Sequence, residues 1–121
     1  MSRILVAEDE AVLRMLITDS LEDEGYEIDS AVDGREAFDM MEAGQYDLLI
    51  VDHMMPRMTG LELINAVKDL PGREQLQIMM LSAKSQVTDR EKAMAAGADV
   101  FLSKPFSPIE LVRIVGEMLH E

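Results

Sequence analysis

Short apolar segments alternate with longer amphipathic segments along the whole chain. The clearest apolar segment covers residues 48–51, where an unbroken run of branched side chains stops at Asp52. A short run of this kind is typical of a strand that is buried on both faces of a sheet. We therefore predict that it is the central strand, and similar segments predict four more strands at residues 3–7, 27–32, 77–81 and 99–102.

Each predicted strand is followed by a segment with the pattern of a helix. Residues 11–24 predict a helix whose inner side carries Leu13, Leu16, Ile17 and Leu21. Three further helix starts pair a capping side chain with a Glu three positions later, and these pairs are Asp33–Glu36, Thr59–Glu62 and Ser107–Glu110. Residues 87–96 also predict a helix, although their apolar pattern is weak.

Five strands that alternate with five helices predict an α/β fold in which helices cover both faces of one parallel sheet. No linker or repeat interrupts the pattern, so we expect residues 1–121 to form one domain. The strand-to-helix loops of such a sheet share one edge, where open α/β folds bind their ligands. That edge is predicted to bring together Glu8, Asp9, Asp52, Ser82, Ala83 and Lys104.

The composition narrows the classes of function. A formal net charge of −13 argues against a surface for nucleic-acid phosphates and suits basic partners, metal cations or plain solubility. The chain has no Cys, so neither a disulfide nor a zinc cluster of the Cys type is expected. No apolar run reaches membrane-spanning length and no leader precedes the first strand, which predicts a cytoplasmic location without membrane contact.

The predicted cluster at the sheet edge favours phosphoryl chemistry. Glu8, Asp9 and Asp52 would repel one another, and a divalent cation would remove the conflict. Mg²⁺ suits such a site because it prefers oxygen ligands and keeps several waters. Lys104 would add a positive charge and Ser82 a hydroxyl donor, so that Asp52 could act as the nucleophile. The plain alternative is that Asp52 only caps a turn.

Five short motifs occur in the order that is found in one known family. They are Glu8-Asp9, Asp52-x-x-Met55-Pro56-x-x-x-Gly60, Ser82-Ala83, Ala96-Gly97-Ala98-Asp99 and Lys104-Pro105-Phe106. Through them the chain resembles the receiver domain of bacterial two-component response regulators, over essentially all 121 residues. The resemblance implies a flavodoxin-like, doubly wound sheet with the strand order 2-1-3-4-5, as in the chemotaxis members of that family.

The resemblance also implies a role for each residue at this edge. Asp52 resembles the phosphoacceptor, and Lys104 resembles the lysine that acts with it. Ser82 and Phe101 resemble the switch hydroxyl and the switch aromatic side chain. The implied Mg²⁺ ligands are Asp9, Asp52, the backbone carbonyl of Met54 and, through a water, Glu8. Taken singly, Lys104 could be a solvated loop residue and Phe101 a plain core residue.

Partners also follow from the resemblance. A receiver accepts its phosphoryl group from a sensor histidine kinase or a histidine phosphotransfer protein, and then binds a downstream protein. It is a switch and not a turnover enzyme. The chain shows no output domain after its fifth helix, which suggests a stand-alone receiver, with a piece of a longer regulator as the alternative.

Two residues beside Asp52 vary from the common pattern. His53 stands where the family usually has an aliphatic residue, and we expect a buried, hydrogen-bonded histidine there instead of a second phosphoacceptor. Met54 places an apolar side chain beside the site, at a position whose variation is associated with the lifetime of the phosphorylated state.

Three other functions fit the residues less well. A flavodoxin-like cofactor binder would need a phosphate-cradling loop where the chain has Glu8-Asp9-Glu10. A phosphatase with an aspartyl nucleophile would commonly have a second acid where Met54 stands. A degenerate receiver that acts as a constitutive binding module is opposed by the intact Asp9, Asp52 and Lys104.

A monomer is expected before phosphorylation. Some members of the family dimerise through charged pairs on the fourth helix, the fifth strand and the fifth helix. Lys92, Asp99 and Arg113 supply part of such a set. However, Val100 stands where those dimers often have a second Asp, and Arg113 follows Glu110 by three residues instead of four.

Overall fold

A five-stranded parallel sheet forms the middle layer of the protein in the computed structural model, which describes residues 2–83 and 87–120. The strands are β1 (Arg3–Ala7), β2 (Glu27–Ala31), β3 (Leu48–Asp52), β4 (Gln77–Ser82) and β5 (Val100–Ser103). Their order across the sheet is β2-β1-β3-β4-β5, and every neighbouring pair is parallel. The predicted strand order is therefore confirmed.

Five α-helices connect and follow the strands. They are α1 (Ala11–Glu22), α2 (Gly34–Ala43), α3 (Gly60–Ala66), α4 (Val87–Ala96) and α5 (Pro108–Met118). A 3₁₀ turn, Val67–Asp69, extends α3, and a second one, Arg73–Gln75, precedes β4 without having been predicted. Within the described ranges, no helix has both the length and the apolar character that crossing a bilayer requires.

The two faces of the sheet carry separate halves of the core. Leu49, Val51 and Met80 belong to a buried cluster that includes side chains of α2, α3 and α4. Ile50 and Leu81 belong to a second cluster that includes side chains of α1 and α5. Because successive strand residues point to opposite faces, a central strand with helices on both sides is apolar throughout its interior.

Helix α1 differs from the sequence prediction at one position of its inner side. Ile17 and Leu21 are fully buried and Leu13 is partly buried, but Leu16 is 42% exposed. Consecutive helix residues are separated by about 100°, so a face centred on Ile17 leaves its neighbour at the margin. The prediction that Leu16 lies on the buried side is wrong for this reason.

The predicted helix caps are confirmed. The Asp33 side chain accepts a hydrogen bond from the Glu36 backbone N–H at 2.8 Å. Thr59 and Glu62 form a reciprocal capping box at the start of α3. At the start of α5, Ser107 accepts from the Glu110 N–H at 3.0 Å. Each cap satisfies helix N–H donors that would otherwise have no partner. The caps therefore fix where each helix begins, at the edge of the sheet that carries the strand-to-helix loops.

The ends of several predicted elements, including β2, β4, β5 and α1, differ from the structure by one or two residues. Strand β5 begins at Val100, one residue later than predicted, and extends to Ser103. Helix α4 matches the predicted residues although Ala93 is its one buried residue within the described range. The position of Lys84, predicted to follow β4, lies outside the described residues.

Gly60 occupies a place where no larger residue fits. A Cβ atom at this position would lie 2.5 Å from the Asp52 carbonyl oxygen and 3.1 Å from the His53 Cα. We expect Gly60→Ala to lower the free energy of unfolding by about 1–3 kcal/mol, because the backbone of the central strand must shift. Urea denaturation followed by circular dichroism would measure the change.

Gly116 provides the matched control for this substitution. It lies within α5, and a Cβ atom there would meet nothing within 4 Å. Gly116→Ala should raise stability by up to about 1 kcal/mol, because Ala is the better helix former. Equal denaturation midpoints for the two variants would contradict the steric explanation at Gly60.

Candidate functional site

Three strand ends bring charged side chains together at one edge of the sheet. Glu8 and Asp9 follow β1, Asp52 ends β3, and Lys104 follows β5. The Lys104 Nζ lies 3.1 Å from the Asp52 Oδ1 and 3.3 Å from the Glu8 Oε1. A single ammonium group thus bridges carboxylates from two neighbouring strands, as expected from parallel strands whose carboxyl ends meet.

The carboxylates form one compact group. One oxygen atom from each of Glu8, Asp9 and Asp52 lies within 4.8 Å of the others. Glu8 is completely buried and Asp52 is 6% exposed, whereas Asp9 is exposed at the rim. The group therefore offers oxygen ligands to a cation that approaches from solvent, which is the donor set that Mg²⁺ prefers.

The charges in this group shift one another's protonation. The pKa of Glu8 is raised to about 7, mainly by burial and also by the nearby Asp52 carboxylate, while a backbone hydrogen bond from Glu10 and the charge of Lys104 act in the opposite direction. For Lys104, burial alone would lower the pKa, but its hydrogen bond to Asp52 and the charge of Glu8 raise it above the ordinary value. Lys104 consequently stays charged, and Glu8 is the group most ready to take up a proton.

Backbone contacts hold the β1–α1 loop in place. The Glu10 N–H donates to the Glu8 Oε2 at 3.1 Å. The Arg14 Nη1 donates to the carbonyl oxygens of Glu8, at 2.8 Å, and of Asp9, at 3.4 Å. This positioning role of Arg14 was not predicted, and its signal in the sequence is a single basic residue in the first turns of a helix that follows three acids.

The β3–α3 loop is tied to the start of α2. The Arg57 Nε lies 3.1 Å from the Asp33 Oδ2, so the residue that caps α2 also holds the loop that follows Asp52. Arg57 adopts a positive φ of 71°, and the Met58 N–H donates to the Pro56 carbonyl at 2.8 Å. This role of Arg57 was not predicted from the sequence. Met54, in the same loop, has a side chain that is 59% exposed.

The two predicted switch residues lie on one face of the sheet. Phe101 pairs with Met80 in the ladder between β4 and β5, and Ser82 is two residues further along β4. Both are buried, with exposures of 6% for Phe101 and 1% for Ser82. The Arg90 guanidinium of α4 lies over the Phe101 ring, 5.9 Å from its centroid, which connects the ring to the helix beside it.

His53 is half-buried, so the prediction that this histidine is buried is wrong. Its Nδ1 lies 3.4 Å from the Ser82 Oγ, so the expected hydrogen bond is present and its partner is the predicted switch hydroxyl. The pairing of β3 with β4 brings the two residues together, because the His53 N–H donates to the Leu81 carbonyl at 2.8 Å.

Comparison with known proteins identifies the family. A family model described as the response regulator receiver domain matches residues 4–116, and the chain therefore belongs to the response regulator receiver family. The predicted family and the receiver fold are thus confirmed. The role of each site residue stays a prediction.

Individual relatives agree with this result. The chain is 40% identical over 118 residues to the phosphate regulon transcriptional regulatory protein PhoB of Rhizobium meliloti, covering 98% of this chain and 52% of that protein. The chain spans about half the length of the first curated relatives that it matches.

Solved structures resemble the chain over nearly all of its length. The chemotaxis protein CheY4 of Vibrio cholerae superposes with a TM-score of 0.93 at 33% identity, covering 98% of this chain and 99% of that chain. The response regulator TrrA of Thermotoga maritima, solved in complex with Mg²⁺ and BeF, has a TM-score of 0.85 at 37% identity, covering 98% of this chain and all of that one, at 100%.

Proposed function

We propose that the chain is a phosphorylation-switched signalling receiver that takes a phosphoryl group onto Asp52. The observation that carries this proposal is the Lys104 ammonium 3.1 Å from the Asp52 Oδ1, with two further carboxylates beside it. Family membership and the Mg²⁺–BeF complex of TrrA support the proposal. The phosphodonor is a phosphohistidine on a sensor histidine kinase or a histidine phosphotransfer protein.

In the proposed reaction a carboxylate oxygen of Asp52 attacks the phosphorus of the phosphohistidine. The new O–P bond forms as the N–P bond breaks, and the electron pair of that bond returns to the imidazole. Lys104 balances the negative charge on the transferring group. A positioned positive charge stabilises such a group strongly where water is excluded. The chain is a switch and not a turnover enzyme, because the phosphoryl group stays on Asp52 until it is hydrolysed.

The proposed cofactor is Mg²⁺. Asp9 and Asp52 would hold it through their carboxylates, Met54 through its backbone carbonyl, and Glu8 through a water. When bound, it supplies positive charge to the oxygens of the phosphoryl group. The compact group of three carboxylates supports this assignment, because only a cation or a proton relieves their repulsion.

Exchanging Asp9 for Asn should weaken Mg²⁺ binding by at least about tenfold, because the exposed carboxylate at the rim is lost. Mg²⁺ titration followed by amide NMR would measure the affinity. Asp19→Asn, the same substitution on an exposed residue two turns along α1, should leave the affinity unchanged. An unaltered Mg²⁺ titration in Asp9→Asn would show that the acidic group is only a solvated face.

Intact mass spectrometry tests the proposed function. Incubation with acetyl phosphate and Mg²⁺ should add one phosphoryl group, and mild base should remove it because acyl phosphates are labile. Removing Mg²⁺ with a chelator should prevent the reaction. A chain that gains no mass in the presence of both reagents is not a phosphoacceptor.

The proposed output is a changed protein-binding surface around α4, β5 and α5. A phosphoryl group on Asp52 would attract the Ser82 hydroxyl through a charge-assisted hydrogen bond, and Phe101 would turn into the space that Ser82 leaves. This is a shift between two packings, biased by a contact that only one of them makes.

Ser82→Ala should accept the phosphoryl mimic beryllofluoride but lose most of the switch. We expect the amide NMR shifts that wild type shows in α4 and β5 on adding beryllofluoride to shrink to less than about half in the variant, because the hydroxyl is the link to those elements. Resonances next to Asp52 should still respond, as the internal control. Shifts in α4 and β5 equal to those of wild type would rule out Ser82 as the link.

We also propose a monomer in the cytoplasm before phosphorylation. Two charged groups of the expected dimer set are used within the chain. The Asp99 Oδ2 accepts from the Ile78 N–H at 2.8 Å, and the Arg113 Nη1 bonds Glu117 at 3.1 Å. The downstream target is a separate protein or an output domain of a longer regulator, of which PhoB is an example.

A further inference from the structure

His53 is held against the predicted switch hydroxyl by its own backbone. Its N–H donates to the Leu81 carbonyl at 2.8 Å, and its carbonyl accepts from the Gly60 N–H at 2.9 Å. These bonds tie the residue both to β4 and to the start of α3. The backbone of His53 is therefore held in place beside Ser82, and its imidazole Nδ1 lies 3.4 Å from the Ser82 Oγ.

The Ser82 hydroxyl has one proton, and this limits what it can do. Oxygens of a dianionic phosphoryl group only accept hydrogen bonds, so Ser82 must be the donor when it moves to them. An imidazole nitrogen without a proton is also an acceptor. Donation to the His53 Nδ1 and donation to a phosphoryl group on Asp52 therefore exclude each other.

We propose that His53 is a positioning residue that accepts the hydrogen bond of the Ser82 hydroxyl in the resting state. By stabilising that state, it sets the equilibrium between the resting packing and the packing that phosphorylation favours. This role rests on the proposed phosphorylation of Asp52, because His53 competes with the phosphoryl group for the Ser82 proton. The residue acts on the switch equilibrium through Ser82 and has no part in attack on the phosphodonor. An aliphatic side chain at this position could not compete for the proton.

Replacing His53 by Leu tests the competition. Titration with beryllium chloride at fixed excess fluoride and Mg²⁺, followed by the amide shifts of α4 and β5, gives the half-saturation point. Losing one hydrogen bond from the resting state should lower this point by about two- to tenfold. His53→Asn should restore a value near that of wild type, because its side-chain oxygen can take the place of the Nδ1. A half-saturation point that is unchanged or higher in His53→Leu overturns the proposal.

A double-mutant cycle with Ser82→Ala separates this role from a general effect on packing. Once the hydroxyl is absent, His53→Leu should no longer change the half-saturation point, measured in this background from the resonances next to Asp52. An equal effect with and without the hydroxyl would assign the residue a structural role only.

The imidazole nitrogens provide a direct signature that does not need a phosphoryl mimic. Long-range ¹H–¹⁵N spectra should show the Nδ1 as a hydrogen-bonded acceptor in wild type and as an unbonded one in Ser82→Ala. Adding beryllofluoride to wild type should move the Nδ1 signal towards that of Ser82→Ala. If wild type does not respond to beryllofluoride at all, the proposed function fails. If the Nδ1 signal is the same in wild type and Ser82→Ala, the His53 proposal fails by itself.

Discussion

Asp52→Asn should take up no phosphoryl group under conditions in which wild type is fully modified. The amide keeps the shape of the side chain but is a poor nucleophile, and an acyl phosphate cannot form on it. Intact mass after incubation with acetyl phosphate and Mg²⁺ would give the result directly. Glu8 also contacts the Lys104 ammonium, but among the described residues Asp52 is the carboxylate that both contacts this ammonium, at 3.1 Å, and ends the central strand β3.

Asp39→Asn is the matched control for this experiment. It makes the same chemical change on an exposed residue of α2, where Asp39 pairs with Arg35 at 3.2 Å. This variant should be modified as wild type is. If Asp52→Asn still gains one phosphoryl group, the phosphoacceptor is a different residue, and peptide mapping of the modified protein would locate it.

The second large effect concerns the pH dependence of stability in metal-free buffer. The pKa of Glu8 is about 7 in the folded protein against 4.5 as its ordinary value, because the side chain is buried beside Asp52. The folded state therefore binds this proton more tightly than the unfolded state does. The stability that the protonated Glu8 contributes is fully present below pH 4.5 and is lost as the pH rises through about 7.

Glu8→Gln makes this position neutral at every pH. Its stability relative to wild type should rise by about 3 kcal/mol between pH 4.5 and pH 8, which corresponds to the shift in the pKa. Urea denaturation at a series of pH values, with chelator present, would measure the difference. Glu42→Gln, an exposed site on α2, should show almost no such trend. A constant difference between Glu8→Gln and wild type would mean that Glu8 is ionised in the folded state.

The succession of strands, helices and caps along the chain could be predicted from the sequence because its signals are local, whereas the order of the strands across the sheet came from the resemblance to receiver domains. An apolar run such as 48–51, or a pair such as Thr59 and Glu62, is determined within a few residues. Leu16 could not be placed, because the contacts that α1 makes with the sheet and α5 decide which side of its apolar stripe is buried. The 3₁₀ turn Arg73–Gln75 has no periodic pattern to reveal it.

The site residues could be named from their motifs, but their environments depend on tertiary structure. Only the resemblance assigned Glu8 and Asp9 different roles, and it is the fold that buries Glu8 and leaves Asp9 at the rim. The contact between His53 and Ser82 joins residues on neighbouring strands, and the register of β3 against β4 creates it. The same holds for Arg57, whose partner Asp33 precedes a different helix.

The bridging position of Lys104 has a consequence for how the site exchanges ions. One ammonium faces two buried carboxylates, and the remaining negative charge can be neutralised by a proton on Glu8 or by a divalent cation. These two occupants would displace each other, so uptake of the proposed Mg²⁺ near neutral pH should expel a proton into solvent. Under the proposed function, a slight acidification would then weaken metal binding and phosphoryl uptake together, without a change in any residue.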